Sequence, residues 1–360
     1  MKIYYFDNSA TSSPKPESVY SSVEIAIREY NANPGRAGHR KALEVARKIY
    51  EVREKVAHFF GVKNSLNVAF TANATESLNF AIKGAIPKGA HVITTNFEHN
   101  SSLRPLYSIR DEKEVKLTFI NTYLELEKSI TSETKAVVMN HISNVNGTIQ
   151  DIKQVGAICK KNGILFILDA SQSAGYIDID MERDNIDILC LTGHKSLFGI
   201  QGIGAICIRE GIHIDPILEG GTGSFSKLSR QPKEMPEMLE SGTVNTPGIM
   251  SLGAGLDFIK KIGIDNIKAH EDELTSKFLK GLETLDKVNV YKSFTENQAP
   301  VISINIEGID AGDLSNILDE EFGILVRPGY HCAPLAHKAI GTYELVLLDS
   351  HLDFLTQKMR

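Results

Sequence analysis

The stretch Ile164-Leu165-Phe166-Ile167-Leu168-Asp169-Ala170-Ser171-Gln172-Ser173 decides the fold. An unbroken apolar run stops abruptly at an aspartate and a polar turn. That is the pattern of a strand buried on both faces, carrying its chemistry at its carboxyl end. Further along, a second apolar run from Ile186 to Leu191 ends in Thr192-Gly193-His194-Lys195-Ser196.

Outward from this pair, short apolar runs (Leu66 to Phe70, His91 to Thr94, Val115 to Ile120, Ala136 to Met139) alternate with helical patterns (Thr75 to Ile86, Ser101 to Arg110, Asp151 to Lys161). The alternation predicts an α/β domain around a mostly parallel sheet. Leu218 to Pro247, rich in Gly, Ser, Thr and Pro, breaks the rhythm and reads as a long functional loop. Helical patterns resume from Gly248 to Leu285, followed by a smaller α/β stretch: strand Val301 to Ile306, helix Asp310 to Glu320, strand Ile324 to Val326. We therefore expect a large domain over residues 14–255 and a small C-terminal α/β domain formed by 1–13 and 256–360.

A chain of 360 residues, 42% of them hydrophobic, can bury a large core. Its net charge of -6 argues against nucleic acid or an anionic membrane as the main partner. No apolar run is long enough to span a bilayer, and Met1-Lys2-Ile3-Tyr4-Tyr5-Phe6-Asp7 lacks the layout of a signal peptide, so a soluble cytoplasmic protein is expected. The cysteines follow no CxxC or regular spacing, which fits neither a disulfide framework nor a zinc site. Cys159, Cys190 and Cys207 lie in apolar or amphipathic patterns and read as small buried hydrophobes. Cys332 differs, because Arg327-Pro328-Gly329-Tyr330-His331-Cys332-Ala333-Pro334 surrounds it with loop formers and positive charge that favour a thiolate.

A lysine closing a polar turn, paired with an aspartate ending an apolar strand, is what pyridoxal 5'-phosphate (PLP) chemistry requires. The amine forms a Schiff base with the aldehyde, and the carboxylate keeps the pyridine nitrogen protonated. Phe70-Thr71-Ala72-Asn73-Ala74-Thr75-Glu76 follows a strand and opens a helix, so Thr75 and the free amides form an anion site that a phosphate fits; the same residues also read as an ordinary N-cap. Asn96-Phe97-Glu98-His99-Asn100 places His99 after the next strand, where an imidazole can stack on a pyridine ring or cap a helix. Asn144 and Gln172 end two further strands with amides suited to a phenolate oxygen, although singly they are ordinary turn formers. The coincidence of polar groups at successive strand ends is what points to a site.

From Tyr5-Phe6-Asp7-Asn8-Ser9-Ala10-Thr11 through Gly341-Thr342 the chain resembles the cysteine desulfurase family of class V aminotransferase-fold PLP enzymes. The matching stretches include Asn33-Pro34-Gly35-Arg36-Ala37-Gly38-His39, Glu98-His99, Ser143-Asn144, Gly193-His194-Lys195, Glu219-Gly220-Gly221-Thr222-Gly223, Glu240-Ser241-Gly242-Thr243 and His331-Cys332-Ala333. The short loop at Cys332 is similar to that of the desulfurase and selenocysteine lyase group with a short catalytic loop. The resemblance implies the PLP-dependent transferase fold type I, with Lys195 as Schiff-base lysine, Asp169 on the pyridine nitrogen and His99 stacked on the ring. It further implies Asn144 and Gln172 near the phenolate oxygen, Thr75, Thr192 and His194 on the phosphate, and Thr243 completing the phosphate site of a neighbouring subunit in a homodimer. Cys332 would accept sulfur from L-cysteine, leaving L-alanine, with Asn8 and Arg327 as substrate contacts. The persulfide would then pass to an acceptor protein for iron-sulfur or other thio-cofactor assembly. Selenocysteine lyase is the alternative activity, a plain transaminase has no use for the Cys332 loop, and a PLP-binding pseudoenzyme or scaffold is the alternative of another class.

The family pattern continues after Gly-Thr with a Gly-x-Val-Arg-x-Ser strand, whose arginine grips the substrate carboxylate, and a final helix. Here Gly341-Thr342-Tyr343-Glu344 is followed by Leu345-Val346-Leu347-Leu348-Asp349-Ser350-His351, with no arginine before Arg360. Codons compatible with Leu345 onward, preceded by one added base, spell Thr-Gly-Thr-Val-Arg-Phe-Ser. A reading-frame slip near the Glu344 codon is therefore expected. In the chain as written, Leu345 to Leu348 would either pack where they can or leave a sticky surface.

Overall fold

The computed structural model describes residues 2–35, 38–345, 347–351, 354 and 355. Arg36 and Ala37 of the Asn33 to His39 stretch, and the segment from Thr356 to Arg360, lie outside them. In chain order the strands are β1 Tyr4–Tyr5, β2 Val68–Thr71, β3 His91–Thr95, β4 Lys116–Ile120, β5 Thr134–Asn140, β6 Leu165–Asp169, β7 Ile188–Thr192, β8 Gly204–Ile208, β9 Val288–Tyr291, β10 Val301–Ile306, β11 Ile324–Leu325, β12 Arg327–Gly329 and β13 Leu347–His351. The helices are α1 Glu17–Glu29, α2 Arg40–Phe59, α3 Ala74–Ala85, α4 Asn100–Lys113, α5 Leu126–Ser129, α6 Ile152–Asn162, α7 Thr246–Ile262, α8 Ile264–Leu282, α9 Ala311–Phe322 and α10 Pro334–Ala339.

A seven-stranded sheet runs in the order β2-β8-β7-β6-β5-β3-β4, parallel from β7 to β4, with β8 antiparallel to both its neighbours. The mixed α/β architecture with a mostly parallel sheet is thus as read from the sequence. Its apolar runs are continuous because each strand feeds two cores. Phe166, Leu168, Leu189 and Leu191 face one cluster with Val52, Val56 and Leu252, while Ile167, Ile188 and Cys190 face another with Leu78, Ile82 and Leu106. Cys159, Cys190 and Cys207 are buried in these clusters, as small hydrophobes should be, and burial pushes their thiols up.

The helical pattern from Gly248 to Leu285 is two helices, because Gly263 adopts φ +89° between α7 and α8. Leu218 to Pro247 contains no helix or strand until α7 begins at Thr246. It is tied down where Glu240 accepts a bidentate bond from Arg53 (2.7 and 3.0 Å) and the amide of Phe70 (2.7 Å). The Arg53 guanidinium also covers the Phe70 ring, so one buried ion pair joins α2, β2 and the loop.

In the tail after Glu344, Leu347–His351 form an inner strand. In the antiparallel sheet β12-β13-β10-β9, β13 pairs with β10 on one side and β12 on the other. Leu347 and Leu348 are buried, Leu347 against Phe97, Val145, Ala333 and Ala336, while Leu345 remains exposed. Of the two expected outcomes, packing prevails for the described residues from Leu347 to His351. The expected strand from Ile324 to Val326 is observed as β11, Ile324–Leu325, which pairs with β1, and the separate short strand β12, Arg327–Gly329, follows it and pairs with β13.

Candidate active site

Parallel strands place their carboxyl ends on one edge, so Asn140 of β5, Asp169 of β6 and Thr192 of β7 stand side by side. A cavity at this edge is also lined by Thr75, His99, Asn144, Gln172, His194 and Lys195, and at its outer end by Arg327, His331 and Asp349.

Lys195 sits in a tight turn closed by bonds from Phe198 N to Lys195 O and from Gly199 N to Gly193 O, both 2.8 Å. Glycines hold this turn from two sides. A Cβ on Gly175 would lie 2.3 Å from Ser196 O, and one on Gly255 would lie 2.0 Å from Leu197 O, so any side chain there would displace the lysine segment. The N-terminal segment latches on from a third side, with Ser12 Oγ and Lys15 Nζ donating to the carbonyl of His194. Burial lowers the Lys195 ammonium to about 8, against the attraction of Asp169 and with Arg327 assisting. An amine so adjusted exists partly in its neutral, nucleophilic form near pH 8.

Asp169 Oδ1 accepts bonds from the Ser171 amide and hydroxyl. Its other oxygen has no hydrogen bond among the described residues, and burial raises its carboxyl. Behind it lies Glu98, fully buried and pushed up to about 8 by burial, with Oε1 held by Asn140 N and Thr95 Oγ1 at 2.8 Å each. His99 is both things the sequence offered. It caps α4 by accepting from Ser101 N at 3.1 Å and it lines the cavity, and burial holds it neutral with its proton affinity lowered to about 4. Asn73 caps α3, while Thr75 reaches Ser101 Oγ at 2.9 Å on the cavity wall. His194 is likewise neutral, lowered to about 4 by burial.

Four buried polar atoms of this wall, Asn144 Oδ1, Gln172 Oε1, Thr192 Oγ1 and His194 Nδ1, have no hydrogen-bond partner among the described residues. Buried polar groups are nearly always paired, so a cluster of orphans around a low-affinity lysine marks where a polar ligand belongs. An aldehyde for Lys195, a protonated ring nitrogen for Asp169 and phosphate oxygens to accept from Thr192 Oγ1 and His194 Nδ1 are the features of PLP, and these residues fit it.

At the outer end, Cys332 is exposed on a loop pinned by Asn100 N to Cys332 O (2.7 Å) and by Asn144 Nδ2 to His331 O (2.8 Å). His331 and Cys332 both adopt left-handed backbone, φ 48° and 55°, at about 1–2 kcal/mol per residue, so the loop is held strained by its neighbours. Cys332 is close enough for its thiolate to raise the proton affinity of Lys195. The expectation that His331 aids this thiolate by charge is corrected. Burial, with Arg327 and His337 nearby, lowers His331 to about 3, so it is neutral.

Asn8 does not line the cavity; its amide serves the backbone, donating to His351 O (3.0 Å) and accepting from Ser13 N (3.1 Å). Thr243 lies outside it as well, accepting from Asn33 Nδ2 at 3.4 Å beside a separate groove. Sequence reasoning missed Asn140, Ser9, Ser101 and Asp349 in the wall. Asn140 closes an apolar run just as Asp169 does and was legible by the same rule; Asp349, in a tail without a recognisable pattern, was not. The position that the shifted frame would fill with arginine is the one Asp349 occupies.

A lysine and an aspartate beside adjacent strand ends, among buried polar atoms without partners among the described residues, define a site of the kind that PLP enzymes of the aminotransferase class use. The aminotransferase class-V family matches residues 4–346, and the chain belongs to it. Among its relatives, a probable cysteine desulfurase of Methanothermobacter thermautotrophicus is 31% identical, covering 96% of this chain and 88% of that protein. One of Pyrococcus abyssi is 34% identical over 92% and 85%. The apo structure of a cysteine desulfurase from Thermococcus onnurineus NA1 superposes with a TM-score of 0.92 at 32% identity, covering 99% of this chain and 92% of that one.

Proposed function

We propose that this protein is a PLP-dependent cysteine desulfurase, converting L-cysteine to L-alanine with a persulfide left on Cys332. The observation that carries the reading is Lys195, buried and lowered to about 8, facing orphaned polar groups on one side and the Cys332 loop on the other.

When bound, PLP supplies the electron sink that makes the substrate Cα proton acidic. Lys195 is the residue we assign to its aldehyde and, once released, to moving the Cα proton as general base. Asp169 would hold the proton on the pyridine nitrogen, and the neutral ring of His99 is assigned to its face. Asn144 and Gln172 are assigned to the phenolate oxygen, and Thr75, Thr192 and His194 to the phosphate. Cys332 Sγ, as thiolate, would attack the substrate sulfur. An S–S bond forms as the C–S bond breaks, and that electron pair stays on the substrate carbon until protonation gives alanine.

The finer expectations belong to the same reading: a homodimer in which Thr243 completes the partner's phosphate site, an acceptor protein that takes the sulfur for iron-sulfur or thio-cofactor assembly, and a cytoplasmic setting. Among the described residues no helix is long and apolar enough to cross a membrane. The division into residues 14–255 and 1–13 with 256–360 is part of this proposal.

The test is to add PLP, L-cysteine and a dithiol reductant, which frees the persulfide's outer sulfur as sulfide and is itself oxidised to a disulfide, to the purified protein and measure sulfide and alanine together. Equimolar release, lost in Cys332→Ser, is expected. A Schiff-base absorbance band without sulfide would instead make the chain a PLP-binding scaffold.

A further inference from the structure

Arg327 and Asp349 face each other in register on β12 and β13, so their side chains leave the same face of the sheet with Cβ atoms about 5 Å apart. Both line the outer end of the cavity. The Arg327 guanidinium makes no hydrogen bond or ion pair with a described residue. Asp349 is buried, and its Oδ1 has no hydrogen-bond partner among the described residues. Its carboxyl takes a long bond from Ser9 Oγ to Oδ2, 3.4 Å, and one from the Ser350 backbone, and Oδ2 lies 4.0 Å from His331 Nδ1. A guanidinium and one carboxyl oxygen, both without a hydrogen-bond partner among the described residues, therefore converge on the space beyond Lys195.

We propose that Asp349 is a substrate-binding residue, its carboxyl O–H and the Arg327 guanidinium together holding the α-carboxylate of the amino acid. The assignment rests on the desulfurase reading and deepens it. A guanidinium and a carboxyl O–H both donate, and a ligand group presenting two acceptors to two donors is a carboxylate. An ammonium group would suit an ionised Asp349 but would be repelled by Arg327.

The charges facing Asp349 favour its acid form. Burial comes first, then Asp7 of the N-terminal segment; these raise its carboxyl well above the usual range, while Arg327 from β12 and the hydrogen bonds from Ser9 and the Ser350 backbone oppose them. His331, in the loop before Cys332, is neutral and adds no counter-charge. A substrate carboxylate entering here would be a third anion around one guanidinium unless Asp349 keeps its proton, so substrate binding holds that proton in place.

The test uses the PLP-loaded enzyme titrated with L-alanine, with affinity read from the change in cofactor absorbance for wild type, Asp349→Asn and Asp349→Ala. Asp349→Ala removes the donor and should weaken alanine about tenfold at the acid end of the range. Asn keeps a donor that does not titrate. It should match wild type at low pH, then bind alanine tighter than wild type by up to about tenfold per pH unit once Asp349 ionises. Ionisation of the ligand amine and of Lys195 is common to both proteins and cancels in their ratio.

Unchanged affinity in Asp349→Ala, or a wild-type to Asn ratio that stays flat with pH, overturns the assignment. Wild type alone provides a second measurement if the variants fail to fold. L-alaninamide, compared per unprotonated amine, should gain on L-alanine as pH rises, and parallel curves would overturn the proposal. Absence of a cofactor band in wild type would sink the proposed function itself, and this assignment with it. A band with a flat ratio would sink only the role of Asp349.

Discussion

At the inner end of the cavity, Lys195, Asp169 and Thr192 stand on strands and turns that are neighbours in one sheet. At the outer end, Arg327 and Asp349 meet only through the pairing of β12 with β13. The inner end is surrounded by groups that burial makes neutral, with His99 and His194 lowered to about 4 and Glu98 raised to about 8. The outer end keeps a guanidinium facing carboxyl groups and an exposed thiol on a strained loop. The difference teaches a division of labour. The inner end is dry and preformed, suited to holding a cofactor through many turnovers, and the outer end has the charge and access needed by a ligand that comes and goes.

The sharpest way to break this comparison is at the inner end. Lys195→Ala should abolish the Schiff-base band and lower alanine formation by more than about a thousandfold, through loss of both the aldehyde partner and the base. A variant that kept the band would show that the cofactor is held elsewhere. Next in size, Cys332→Ser should leave the band intact while persulfide, read by mass spectrometry of the protein, disappears. Persulfide on any other cysteine would move the outer end of the reaction away from this loop.

A graded effect is expected for Arg327→Gln. The Michaelis constant for cysteine should rise about ten- to a hundredfold, as for loss of a charged hydrogen-bonding partner, with the band unchanged. If the cofactor affinity fell instead, the two ends would not be separable.

The smallest effect concerns stability. Glu98 carries a folded-state proton affinity raised from the ordinary carboxylate value to about 8, so its contribution to stability is present at low pH and is lost as pH rises towards 8. The urea midpoint of Glu98→Gln should therefore gain on wild type between about pH 5 and 8, by about 1.4 kcal/mol per pH unit at most, and level off above. A constant difference across that range would mean that Glu98 is ionised in the fold.

Much of the inner end was legible because one rule covers it: an apolar run that stops at a polar residue marks a strand whose end faces ligand. Asp169 and Thr192 follow that rule, and Lys195 follows it one turn later. The outer end resisted reading because its partners are far apart in the chain and no local periodicity joins them. Asn8 looked like a contact by its position in a motif, yet the backbone of Tyr5, Ser13 and His351 takes up its amide. His331 looked like a source of charge, yet burial against His337 and near Arg327 leaves it neutral.

The α/β class, the alternation that builds a two-sided core, and the lysine, aspartate and cysteine to which the chemistry is assigned could all be read from the sequence. These are properties of neighbouring residues, set by hydrophobic period and turn chemistry. Only the tertiary structure decided that β8 runs against its neighbours, that Leu347–His351 become an inner strand, and that Asp349 comes to lie opposite Arg327. Strand register is a property of pairing, and a shift of one residue would turn Asp349 to the other face of its sheet.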